Sequence, residues 1–166
     1  MSSSFEIPDV DLLTTGAVGP PGQRIFYLQV RKGTQVVSLR LEKTQVAALV
    51  AYLAGMLADM PPAGEVSTMG MELVEPVVAE WVVGSLGVSY DEEGDRFVIV
   101  AEELVEEGDE GAGRARITAT REQVAALSIR GAEAVAAGRP PCPLCGQPLD
   151  PEGHVCVRLN GHRRAQ

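Results

Sequence analysis

The sequence predicts an α+β fold: two βββα repeats forming a mainly antiparallel sheet or partial barrel with two helices, plus a small C-terminal zinc-ribbon-like tail. Three observations predict it. Three short blocks recur in the same order along the 166 residues. Within each recurrence, strand-like alternation gives way to helix-like spacing. All three cysteines lie between residues 142 and 156.

The recurrence is plainest in Gln45-Val46-Ala47-Ala48-Leu49, which returns as Gln123-Val124-Ala125-Ala126-Leu127, 78 residues on. The segment Gly22–Leu28 resembles Gly94–Val100 at an offset of 72, and Thr14–Gly19 parallels Val82–Gly87 at 68. Ordered self-similar blocks are the signature of repeated units, and the rising offsets imply longer loops in the second copy. The repeats span about 5–60 and 80–138, with a connector at 61–79. Together they form a body, residues 1–138, followed by the tail, residues 139–166.

In the first repeat, a glycine-punctuated strand is expected near 10–18. Strands at 24–31 and 35–42 flank a Lys32-Gly33 turn. Thr44 is the expected N-cap, because its hydroxyl can accept from unpaired backbone N–H groups. A helix over 45–59 places Val46, Leu49, Val50, Leu53 and Leu57 on one face, and Pro61-Pro62 ends it. In the second repeat the strands are expected at 80–90, 96–104 and 114–119, the last two separated by a long acidic loop. Thr120 and Gln123 then form a capping box for a helix over 121–137.

The tail carries Cys142-Pro143-Leu144-Cys145-Gly146 and, after ten intervening residues, Cys156 between His154 and His162. Two residues between thiolates let the chain turn around a tetrahedral ion, so this spacing points to zinc. Cys142, Cys145 and Cys156 supply three ligands. His154 is the preferred fourth, since residues two apart on a strand share a face, and His162 is the alternative. A thiolate-rich set in a short enclosing loop describes a closed, structural site rather than a catalytic one. Zinc would then supply much of the tail's folding energy.

Composition bounds the function. The chain is 45% apolar and only 4% aromatic, so its core must be aliphatic. Its net charge of −9 divides unevenly, because the tail carries +2 and the remainder −11. An acidic body repels phosphate backbones, which argues against nucleic acid as a partner. No secretory signal or membrane-length apolar run is present, and clustered thiols without an export signal suggest the cytoplasm.

Both histidines lie in the tail, so the body has no imidazole for general base work at neutral pH. No phosphate-binding loop, dinucleotide fingerprint or nucleophile elbow occurs. Arg24 and Arg96 open equivalent strands and are candidates for a symmetric anion-binding pair. The acidic residues between 102 and 110 lack the glycine placement of a calcium loop. Trp81 is expected in the core.

Gly16-Ala-Val-Gly-Pro-Pro-Gly-Gln-Arg24, Leu41-Glu-Lys-Thr-Gln-Val-Ala-Ala-Leu49, Cys142-Pro-Leu-Cys-Gly and Asp150-Pro-Glu-Gly-His154-Val-Cys156 together resemble an uncharacterised actinobacterial family of the DUF3090 type. The resemblance covers nearly the whole chain and implies a Cys/His tail. Genes of that family often neighbour a histidine-phosphatase-like protein and one resembling lipid kinases, which implies a shared pathway but no particular role. It carries over no catalytic residues.

The functional expectation is a non-enzymatic binding or adaptor protein with a structural zinc, whose partner is another protein. The alternative is an enzyme acting on a phosphorylated or anionic small molecule in the cleft between the repeats.

Overall fold

The computed structural model describes residues 2–108, 111–137 and 143–145. Among the described residues, seven strands and two helices follow one another: β1 (Phe5–Ile7), β2 (Leu12–Val18), β3 (Ile25–Lys32), β4 (Gln35–Leu41), α1 (Lys43–Ala58), β5 (Val83–Asp91), β6 (Arg96–Glu103), β7 (Arg114–Ala119) and α2 (Arg121–Ala136). The fold is α+β, as expected, but the strands divide into two sheets. One has the order β1-β7-β6-β5 and the other β2-β3-β4. All pairings between named strands are antiparallel except that of β1 with β7.

The two sheets are stitched together at two corners. At the first, β1 runs parallel to β7 and Val10 still donates to the Thr118 carbonyl at 3.1 Å. The next residue, Asp11, already donates to Arg31 of β3. At the second, Glu80 donates to Ser38 and Arg40 to Trp81, after which Val83 pairs with Glu103 of β6. Each of these segments therefore leaves one sheet and joins the other. A bulge between Val83 and Ser85 lets the second segment turn. Glycine is required there, because a β-carbon on Gly84 would stand 2.8 Å from the Leu104 backbone.

Three strands and a helix occur twice, and their registers correspond. Phe26 sits opposite Leu41 as Phe97 sits opposite Ala119, and Leu13 opposite Val30 as Leu86 opposite Ala101. This correspondence corrects the alignment read from sequence. The second strands correspond at an offset of 71, not 72, and the first strands at 73, not 68. The first hairpin is thus shorter in the second half, and the offsets do not rise steadily. A slip of one residue exchanges the two faces of a strand, so Arg24 corresponds to Asp95 and not to Arg96.

The core is aliphatic. Leu13, Leu28, Leu39, Leu53, Ile99, Ile117 and Leu127 are fully buried around Phe97, and Trp81 joins them while its indole N–H donates to the Ser3 carbonyl at 2.8 Å. Each such side chain contributes about 1.5–3 kcal/mol through burial. The two helices pack on each other, and α2 also lies along β2. Gly131 permits this approach, since a β-carbon there would fall 2.3 Å from Val50 Cγ1 and 3.3 Å from Thr15 Cγ2.

On the other side of β2 and β3 runs the connector. Thr14 donates to the Met71 carbonyl, and the buried amide of Gln29 both accepts from Val74 N–H at 2.8 Å and donates to Val74 C=O at 3.2 Å. The side chain thereby pairs with the connector as a neighbouring strand would.

Helix starts also differ from expectation in one half. The N-cap of α2 is Thr120, whose hydroxyl accepts from Gln123 N–H, as predicted. The N-cap of α1 is Glu42, not Thr44. The third helical residue decides both starts. Gln45 Oε1 accepts from Glu42 N–H at 2.8 Å, and Gln123 Oε1 accepts from Thr120 N–H at 2.9 Å. Each glutamine then spends its amide N–H on a sheet corner: Gln45 on Val83 C=O at 3.0 Å, and Gln123 on Val10 C=O at 2.7 Å. The recurring QVAAL block is thus a helix start fastened to the point where a strand changes sheets.

Candidate functional site

Three regions of the molecule bear on function. The first is the predicted metal centre. Cys142, His154, Cys156 and His162 lie outside the described residues; Cys145 is half-buried at the end of a turn over 143–145. Among the described residues, no three His, Cys, Asp or Glu side chains are grouped to hold a metal ion. At the end of β6, two carboxylates are engaged separately. Glu102 faces Arg114 at 4.0 Å, while Glu103 accepts from Ser2 Oγ and Gly113 N–H, which hold its carboxyl below the usual range.

The second region comprises the two corresponding helix starts. At α1, a cavity of about 150 Å³ is lined by Arg24, Phe26, Arg40, Glu42 and Lys43, with Ala137 at the end of α2. Neither an ion pair nor a side-chain hydrogen bond engages Arg24, Arg40 or Lys43 among the described residues, and the Nε of Arg24 is buried without an acceptor.

At α2 the corresponding surface is lined by Asp59, Tyr90, Glu92, Asp95 and Arg121. There Arg121 meets Asp95 at 3.1 Å, and its guanidinium also donates to the Pro61 carbonyl. The Tyr90 hydroxyl donates to Asp95, which holds the carboxyl below its ordinary range, helped by Arg121 and Arg96. The same bond pushes the phenol upward. Arg96 lies beside this cluster, paired with Asp9 at 3.4 Å and donating to the Gly94 and Asp95 carbonyls. Arg24 and Arg96 thus face different neighbours, Arg24 among cations and Arg96 among carboxylates.

The third region could not be foreseen from sequence, because it depends on which strand ends a sheet. Among the described residues β5 is an edge strand, and between it and α1 lies a groove of about 520 Å³. Its walls are Ala48, Leu49 and Tyr52 of α1 and Gly84–Val88 of β5, with Gln45 at one end. Tyr52 is 57% exposed. β2, the corresponding strand, has α2 against it; β5 has no such cover from α1.

A family model described as "Protein of unknown function (DUF3090)" matches residues 5–156. The chain belongs to this family. Family membership spans the whole βββα pair and the C-x-x-C segment, so the corner-fastening glutamines and the thiols fall within one matched unit. No curated protein and no solved structure matches the chain. No helix among the described residues is long and apolar enough to cross a membrane.

Proposed function

We propose that this chain is a non-enzymatic binding or adaptor protein of the cytoplasm. In this reading its body, two repeats at 5–60 and 80–138, receives an extended segment of a partner protein along β5, and its tail is held by a structural zinc ion. The observation that carries the reading is the open edge of β5 beside an apolar groove. Edge strands that must stay unpaired are commonly guarded by lysine, proline or a covering helix. The nine residues of β5 include no lysine or proline, and the only charge, Asp91, comes at the very end. Such an edge offers backbone hydrogen bonds to an added strand, while the adjoining groove takes its alternate side chains. Leu86, Val88 and Tyr52 suit apolar ones.

The test compares wild type with Tyr52→Asp, a change at an exposed position that leaves the core intact. A partner captured from native cells by wild type, protecting the amides of 84–88 from exchange and lost with Tyr52→Asp, supports the reading. Equal capture by both overturns it. So does turnover of a phosphorylated substrate that disappears with Arg24→Gln or Arg96→Gln. That outcome would favour the enzyme alternative, for which the different surroundings of the two arginines offer no common ligand.

For zinc, the spacing of Cys142, Cys145 and Cys156 supports the reading, with His154 the preferred fourth ligand because residues two apart on a strand share a face, and His162 the alternative. The prediction is one zinc per chain, lost with Cys142→Ser and with His154→Ala but kept with His162→Ala. Metal-free protein from a chelator-free preparation would refute it.

A further inference from the structure

We infer that the cavity at the start of α1 is a binding site for a dianionic phosphoryl group. Lys43 at the start of α1 occupies the place of Arg121 at the start of α2, and Arg24 occupies that of Asp95. In the second half these positions form an ion pair at 3.1 Å, so the site is internally neutralised. In the first half the acid is replaced by an arginine, and Arg40 adds a third cation to the same cavity. One half closes its own charge; the other leaves it open.

The open charge is positive and concentrated. Among the described residues that line the cavity, Glu42 is the one acid against Arg24, Arg40 and Lys43, a local excess of two positive charges. The Nε of Arg24 is buried and has no acceptor among the described residues, so its charge is not met by a hydrogen bond there. Beside the same cavity, the Lys43 and Thr44 amides at the start of α1 have no intrahelical partner, while the Gln45 amide is already bonded to Glu42, and the helix dipole adds to the positive potential.

Size and charge select the ligand. A cavity of about 150 Å³ is several times the ~30 Å³ share of one water, yet smaller than the ~300 Å³ where drug-sized pockets begin. It holds a headgroup rather than a whole metabolite. An excess of two charges matches a phosphoryl group, which carries about −1.5 to −2 at pH 7, better than a single carboxylate. Arginine also suits its geometry, since the guanidinium fork meets two phosphate oxygens at once. This site does not depend on the β5 groove, and either can fail without the other.

The experiment titrates the full chain with inorganic phosphate, followed by calorimetry and by ³¹P line broadening, with acetate at equal ionic strength for comparison. Wild type is expected to bind phosphate saturably and more tightly than acetate. Arg24→Gln and Arg40→Gln should each weaken binding about ten- to hundredfold, the effect of losing a charge-assisted bond of ~1.5–3 kcal/mol. Arg96→Gln, at the neutralised half, should leave it unchanged. Because Arg40 is exposed, its variant provides a reading even if Arg24→Gln fails to fold. Absence of saturable binding to wild type would overturn the inference. So would acetate binding as tightly as phosphate, or Arg96→Gln weakening it as much as Arg40→Gln.

Discussion

Replacing Gln123 by methionine removes two hydrogen bonds while keeping side-chain length and helix propensity nearly constant. One bond, from Thr120 N–H to Oε1, closes the capping box at 2.9 Å; the other, from Nε2 to Val10 C=O at 2.7 Å, holds the corner where the first strand changes sheets. Each is worth about 0.5–1.5 kcal/mol net, so the pair should cost about 2 kcal/mol. For a chain of this size, ~1 kcal/mol moves the melting temperature by about 2–4 °C, which predicts a fall of about 4–8 °C. Differential scanning calorimetry of wild type, Gln123→Met and Gln45→Met measures it. Gln45 makes the corresponding bonds to Glu42 N–H and Val83 C=O, so its variant should fall by a similar amount. A shift under about 1 °C in both variants would refute the view that these glutamines fasten helices to the sheet corners.

Other consequences follow from particular contacts. Gly131→Ala, which would ordinarily stabilise a helix interior by about 1 kcal/mol, should instead destabilise by about 1–3 kcal/mol through collision with Val50. Adding Val50→Ala should recover part of that loss in urea melts. Gln29→Leu should cost about 1–3 kcal/mol in the same assay by leaving the Val74 N–H and carbonyl without their partners. The Asp95 carboxyl titrates below its ordinary range in the folded chain, so its contribution to stability is complete above the ordinary carboxylate pKa and is lost as pH falls towards the folded value. Asp95→Asn should therefore flatten the acid limb of a stability–pH profile. The phenol of Tyr90, raised by the same hydrogen bond, should ionise later than an ordinary tyrosine in an ultraviolet titration of wild type, and earlier in Asp95→Asn.

Much of the scaffold was legible in residues. The alternation in 25–32 and 96–103, the turns beside them and the QVAAL helix starts determine their own local structure. Three features were not. β1 is only three residues long and exists because β7 offers it a parallel edge, a tertiary fact without a periodic signal. Thr44 is a good capping residue, but Gln45 reaches the Glu42 N–H and the Val83 carbonyl at once, so tertiary anchoring overrides local preference. The alignment of Arg24 with Arg96 was compelling as a string, yet the hydrogen-bond registers of the two halves make Phe26 correspond to Phe97 and therefore Arg24 to Asp95.

The candidate sites show the same division. The metal pattern is a matter of spacing and can be read directly. By contrast, the β5 groove and the unneutralised cations at α1 arise only when helices and strands distant in sequence are brought together. Sequence composition hinted at neither, because a body of net charge −11 hides a local excess of positive charge.

The most direct test of the central claim, that β5 is a docking edge, is amide hydrogen exchange on the protein free and bound to a partner isolated with it. If β5 is the docking edge, new protection is confined to 84–88 and the facing turns of α1 around Ala48 and Tyr52, and is absent in Tyr52→Asp. Protection elsewhere on the body, with the β5 amides exchanging as fast as in the free protein, would contradict it.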